Sequence, residues 1–293
     1  MRLPKILVLC LLVLSAARPL AAAGPDREAE LRAEVSFFCD SLCAGRGFGS
    51  DGAQYATFYL IRQLRDAGLR TTVQSFSAAG RTGHNVVAVT PGWYRRYIVV
   101  GAYADGLGTL GGRLYPGADA NASGLAAFLA LARELPAAAR GDIGLVFVAF
   151  DGHTADLAGA AAYLEQFRQQ YPPLLMVNLD QLGSSLAPVR KDRPDYLIAL
   201  GGAPYRFALE SANRSAAGLD LSYDYYGSSA FTEMFYRRVS DQRCFLEAGI
   251  PAVMFTSGIT GHNNKITDTP ATLDYPLLAR RIALIAAWLR SQL

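Results

Sequence analysis

Cysteine is scarce in this chain, with four in 293 residues. Cys10 lies inside an apolar amino-terminal run, so Cys39, Cys43 and Cys244 remain, and an odd number excludes a complete disulfide framework. No Cys-x-x-Cys pair occurs, which excludes a thiolate zinc knuckle. Cys39 and Cys43 are four apart in a segment of helical pattern, a spacing that predicts two small residues on one helix face rather than a redox pair. Charge of one sign is also lacking: 28 basic against 25 acidic residues leave a net +3, with Lys and Arg scattered along the chain. Nothing resembles the basic stripe that a phosphate backbone requires, so nucleic acid is excluded as a partner. No apolar run beyond the amino terminus reaches the ~18 residues of a membrane span. Repeats, low-complexity tracts and inter-domain linkers are absent as well.

What is present is enough apolar sequence, 51% of the chain, for one large α/β core. Arg2 and Lys5 precede an apolar run from Ile6 to Ala17, and Ala21–Ala23 supplies a small-residue cleavage site. That order predicts a secretory signal over residues 1–23 and a single domain over 24–293, exported to the periplasm or the extracellular space. Cys10 follows Leu9 rather than a small residue, so lipid anchoring is not expected.

Periodicity predicts helices at Arg27 to Leu42 and Ala53 to Ala67, then strands at Thr71 to Phe76, Asn85 to Thr90 and Tyr97 to Ala102, the first two as a hairpin. Strict alternation follows: helix Ala122 to Leu135, strand Gly144 to Phe150, helix Leu157 to Gln169, strands Leu174 to Leu179 and Tyr196 to Leu200, helix Tyr205 to Ala217. Strand Ala252 to Thr256 and a last helix from Pro276 to Gln292 end the chain. Such an order implies a mostly parallel mixed sheet sandwiched between helices.

In that architecture reacting groups sit past the carboxyl ends of strands. There the sequence places Tyr103-Ala104-Asp105, then "PGADANASG" from Pro116, Asp151-Gly152-His153-Thr154, Asp180, and "SGITGHNNKITDT" with His262 and Asp268. Acidic residues and imidazoles recurring at one sheet edge are the pattern of a divalent metal site. His84, on a hairpin strand, is assigned no role.

The blocks "IVVGAYADG", "PGADANASGLAAFLALAREL", "VFVAFDGHTADLAG", "VNLDQLG", "SDQRCFLEAGIPAVMF" and "HNNKITDTPATLDY" resemble, in order and spacing, those of the co-catalytic zinc aminopeptidases. That family includes the bacterial leucyl aminopeptidases and is related to the glutaminyl cyclases. The resemblance spans nearly the whole expected domain and implies a zinc exopeptidase-like (phosphorylase/hydrolase-like) architecture. It also implies two zinc ions bridged by an aspartate, matched here by Asp119. One ion takes a histidine of a His-x-Asp motif, where this chain has Tyr103, and a later aspartate, Asp180. The other takes a glutamate, replaced by Thr154, and a histidine, matched by His262. The general-base glutamate is replaced by His153, and Asp105 is the acidic half of the His-x-Asp motif. In the aromatic stretch from Ser222 to Phe245, the resemblance offers Tyr223, Tyr225, Tyr226 and Phe231 as pocket walls and Asp241 as a rim residue, with core packing as the other reading.

Each half-site thus keeps at most two ligands where a zinc hydrolase needs about three plus an open position. Zinc binding is expected to be weak or absent. The leading reading is an exported protein of aminopeptidase fold with impaired or lost hydrolysis and a cleft for a peptide or a protein amino terminus. Two alternatives stand beside it: an active metallo-aminopeptidase with an atypical metal set that recruits His153 or Tyr103, and a glutaminyl cyclase-like acyltransferase.

Overall fold

A computed structural model describes residues 25–225 and 227–293. The expected export segment, Cys10 and Tyr226 lie outside the described residues.

Two helices, α1 (Pro25–Phe38) and α2 (Asp51–Asp66), precede the sheet. The Ser50 hydroxyl accepts from the Ala53 amide and so caps α2. Ten strands follow: β1 (Arg70–Ala78), β2 (Arg81–Val89), β3 (Arg96–Tyr103), the small hairpin β4 (Gly108–Leu110) and β5 (Arg113–Tyr115), β6 (Ile143–Phe150), β7 (Pro173–Leu179), β8 (Tyr196–Leu200), β9 (Asp220–Ser222) and β10 (Ala252–Thr256). Eight of them form one sheet in the order β1-β2-β6-β3-β7-β10-β8-β9. β6, β3, β7 and β10 run parallel at its centre, flanked by the antiparallel β1–β2 hairpin on one side and by β8, antiparallel to β10, on the other. This is the mixed, mostly parallel sheet that the alternation of elements implied.

Helices cover both faces, as buried parallel strands demand. Residues 97–103 of β3 and 144–150 of β6 are all buried. On one face they meet α3 (Ser123–Glu134) and α8 (Tyr275–Gln292), whose Trp288 is fully buried; Tyr163 and Phe167 of α4 (Ala158–Phe167) pack on the other. α5 (Arg206–Ala216), α6 (Ser229–Arg238) and α7 (Gln242–Glu247) complete the helices among the described residues.

Several expectations are corrected. α1 ends at Phe38, so Cys39 and Cys43 sit in the turn beyond it and not on a helix face. The Asp40 carboxylate accepts from the Leu42 amide there, a local bond that competes with helix continuation. Both thiols are free, and burial pushes each up to about 11. The aromatic stretch from Ser222 forms the two helices α6 and α7, which its mixed composition concealed. No helix among the described residues is long and apolar enough to cross a membrane.

Candidate active-site cleft

The carboxyl ends of β3, β6, β7 and β10 open into one cleft of about 330 Å³. Buried Arg46 holds two of its loops: its guanidinium donates to the carbonyls of Phe38, Ala104 (3.1 Å), Pro116 (3.0 Å) and Gly117 (2.9 Å). Gly117 is left-handed (φ 62°), and a Cβ there would lie 2.5 Å from the Ala120 carbonyl oxygen, so the turn needs glycine. From that turn Ala120, not Asp119, lines the cleft. Asp119 is buried, its Oδ1 accepting from the Ser123 hydroxyl (3.0 Å) and the Gly183 amide (2.8 Å). Its Oδ2 has no hydrogen-bond partner. Burial, then the neighbouring Asp268 charge, push Asp119 up to about 7. Asp268 itself accepts from the amides of Asp119 (2.8 Å) and Ala120 (3.0 Å) and so grips the turn.

After β6, Asp151 bends the chain by accepting from the amides of Gly152 and His84, both at 2.8 Å. Gly152 takes φ 69°, with the rings of Phe48 and Phe76 within 3.2 Å of where its Cβ would stand. Asp105, at the end of β3, then fixes the next two residues. Its Oδ1 accepts from the His153 amide (2.8 Å), and its Oδ2 from the Thr154 amide (3.0 Å) and hydroxyl (2.6 Å). The carboxylate that would brace a ligating imidazole instead braces the backbone of 153 and 154.

The His153 ring lies flat on Tyr103, centroids 3.8 Å apart and planes 15° from parallel. Its Nδ1 is 3.1 Å from Oδ2 of fully buried Asp241. Burial works against charge on this imidazole, but Asp241, followed by Asp180 and Asp105, outweighs it and raises His153 to about 9. At neutral pH the ring is an imidazolium over an aromatic face. Tyr103 moves well above its ordinary value through burial, then through the charges of Asp180, Asp105, Asp119 and Asp241. Asp241 owes its place to Asn178 on β7, which donates to the Ser240 hydroxyl (2.8 Å) and to Gln242 Oε1 (2.7 Å).

Asp180 lines the cleft with an Oδ1 that has no hydrogen-bond partner, and burial raises it above the usual carboxylate range. The structure therefore brings Tyr103, His153, Thr154 and Asp180 together and leaves Asp119 and His262 outside the lining. His262 Nδ1 instead lies 2.9 Å from the Thr267 hydroxyl, while Asn263 and Asn264 reach the cleft. Among the described residues no group of three or more His, Cys, Asp or Glu converges as a metal ligand set. The expected aromatic walls are corrected too: Phe235 lines the cleft with Met254 and Ile259, while Tyr223, Tyr225 and Phe231 do not. Tyr225 supports from behind, stacked 4.8 Å from Phe235 with its hydroxyl accepting from the Ile259 amide (2.7 Å). Sequence reasoning missed the His153–Asp241 pair because the partners are 88 residues apart. It missed Ala120 because an alanine carries no signal.

A model of Peptidase family M28 matches residues 85–289 of the chain. Among solved structures, a zinc aminopeptidase from Bacillus subtilis is similar with a TM-score of 0.72 and 14% identity, covering 92% of this chain and 95% of that one. An aminopeptidase from Aneurinibacillus sp. strain AM-1 gives 0.69 and 16%, covering 90% and 94%. The glutaminyl cyclase of Porphyromonas gingivalis gives 0.68 and 15%, covering 91% and 98%. At these identities the likeness is one of fold.

Proposed function

This chain belongs to peptidase family M28, and from that membership we propose that it keeps the fold and cleft without a hydrolytic metal centre. On this reading it is an exported, non-hydrolytic protein that takes the amino terminus of a peptide or protein partner. The observation that carries the reading is the His153–Asp241 pair stacked on Tyr103.

The family is zinc-dependent, and the donors that face this cleft do not fit a zinc pair. Two ions need about three protein ligands each plus an open position. The cleft offers one carboxylate, Asp180, beside neutral groups of Tyr103, Thr154, Asn263 and Asn264 and the methyl of Ala120. His153 is engaged at Nδ1 and raised to about 9, so a metal at its other ring nitrogen would have to displace a proton at neutral pH. For the same reason it is no general base there, since a base must be deprotonated near its working pH. A cyclase-like acyl transfer fails on the same set, because Thr154 stands where that reaction needs a metal-binding glutamate.

Binding is what the cleft chemistry supports. Asp180 is the carboxylate of the cleft lining, suited by charge to an ammonium group, and Phe235, Met254 and Ile259 offer apolar wall. Two assays test the reading: metal analysis of the purified protein with aminoacyl-anilide hydrolysis under added zinc, and titration with peptides bearing free or acetylated amino termini. The expected result is no stoichiometric zinc, no turnover, and a preference for the free terminus. Dialysis-resistant zinc, or turnover abolished by Asp180→Ala, overturns it. Export belongs to the same reading and is checked by amino-terminal sequencing, with a start near Gly24 expected.

A further inference from the structure

The cleft lies at the carboxyl ends of the parallel strands. At the opposite end, where β3 and β6 begin, the fold gathers arginines that are scattered in sequence. Arg95 and Arg96 donate their amides to the Asp142 carbonyl at 3.0 and 3.1 Å, which ties the loop before β3 to the turn before β6. Arg140 opens that turn, in a bridge with Ile143, and Arg96 pairs with Ile143 across the sheet. Arg70, at the start of β1, reaches the Gly92 carbonyl at 3.3 Å. All four arginines are exposed. The acid set among them is Asp142, 3.7 Å from Arg95 and itself 70% exposed.

Trp93, in the loop before β3 between the Gly92 that Arg70 reaches and Arg95, has 81% of its surface exposed. Its neighbour Tyr94 anchors the loop, packing edge-on against Tyr97 at 5.9 Å and donating its hydroxyl to the Pro91 carbonyl at 3.2 Å. That anchoring directs Trp93 outward. Beside it runs a groove of about 440 Å³, floored by Ile143 and Leu174 and edged by Arg95, Arg96 and Asp142.

We propose that this face docks on an anionic phospholipid surface, with Trp93 at headgroup depth and Arg70, Arg95, Arg96 and Arg140 on the phosphates. Indole rings settle at the membrane interface, where an apolar body and an N–H donor are both accommodated. Guanidinium groups pair with phosphate in bidentate fashion, and their attraction to an anionic leaflet adds charge by charge. A protein partner of standard size covers about 800 Å² with a broad apolar centre. Here one large apolar side chain projects among cations, which favours a lipid surface. Docked this way, the chain turns its cleft away from the bilayer.

The test is co-sedimentation of the full chain with vesicles of phosphatidylcholine alone or of phosphatidylcholine with an equal part of phosphatidylglycerol. Wild type is compared with Trp93→Ala and Arg95→Glu/Arg96→Glu, all carrying the same amino-terminal segment, so differences belong to this face. The expected result is binding to the anionic vesicles, weakened by salt and reduced about tenfold or more by the charge reversal, with a separate loss in Trp93→Ala. Because these residues are exposed, the variants keep the wild-type melting temperature. Equal binding by wild type and the Arg95→Glu/Arg96→Glu variant, equal binding to neutral vesicles, or binding to heparin without binding to vesicles overturns the proposal.

Discussion

Replacing His153 with Phe separates the charge of the imidazole from its packing. Phe keeps the flat contact with Tyr103 at 3.8 Å and removes the partner of Asp241. The imidazole stands near 6.5 in the unfolded chain and about 9 in the fold. At about 1.4 kcal/mol per pKa unit, that rise stabilises the fold by about 3 kcal/mol. The side chain is 23% exposed, and water at that edge lowers the figure to about 2 kcal/mol. The sign follows from a raised base: the stabilisation is complete below the unfolded value of 6.5 and is lost as pH rises through about 9. His153→Phe therefore lowers the melting temperature by about 4–8 °C at about pH 6, and most of that gap closes by about pH 10. A smaller, pH-independent part remains, because Phe leaves buried Asp241 without its donor. The assay is urea denaturation of both proteins across this range, read as the difference at each pH so that other titrating groups cancel. A difference that stays flat shows a neutral imidazole in the fold, and one that grows with pH has the wrong sign; either refutes the charged pair.

Asp119→Asn tests whether the neighbouring carboxylate is a structural acid. Raised from 3.8 to about 7, Asp119 contributes stability that is present below the unfolded value and lost as pH rises through 7, so the variant should gain about 1–3 kcal/mol above pH 8 and lose about 1 kcal/mol near pH 5, where its new amide donor lacks a partner. Restoring the ligand types by Tyr103→His, His153→Glu and Thr154→Glu should give at most weak zinc binding by calorimetry, and adding Ala120→Asp should strengthen it at least tenfold, because Ala120 is the turn residue that faces the cleft. Tight zinc in the triple variant alone would place Asp119 in the site after all. Asn178→Ala should release Asp241 and lower the His153 pKa by NMR titration, since its amide holds both Ser240 and Gln242. The thiols of Cys39, Cys43 and Cys244, each pushed up to about 11, should alkylate far more slowly than a free cysteine at pH 8 in the native state and at the ordinary rate in urea.

The sheet was legible because its strands carry their own signal: β3, β6, β7 and β10 are apolar runs that end in acidic or glycine-containing turns. α6 and α7 were hidden because a stretch rich in tyrosine, serine and phenylalanine has no clean helical period. At the site, spacing located the cluster of Tyr103, His153, Thr154 and Asp180, since each sits at the end of a strand that sequence could find. It did not show which neighbours of Asp119 and His262 would face the cleft instead. Asp119 and Ala120 are adjacent, and which faces the cleft depends on the left-handed Gly117 and on Asp268, 149 positions from Asp119, holding both amides. His262 and Asn264 differ by two positions in a loop with no periodicity to orient either. The basic face shows the same limit: four arginines between positions 70 and 140 look scattered until the beginnings of the strands align.

Carboxylates crowd this sheet edge, and the energetics explain how they are accommodated. Asp105, Asp119, Asp180, Asp241 and Asp268 are all buried or nearly so, and a buried carboxylate is tolerated only when it is protonated, hydrogen-bonded or paired. Asp105 and Asp268 are held by backbone amides of the loops they brace. Asp119 shifts toward its neutral form. Asp241 takes the imidazolium of His153, whose charge also offsets Asp180. A cation that belongs to the chain thus stands among the carboxylates. Asp180 lines the cleft and keeps a buried oxygen without a partner, so on the proposed reading Asp180→Ala should weaken binding of a free amino terminus in a peptide titration.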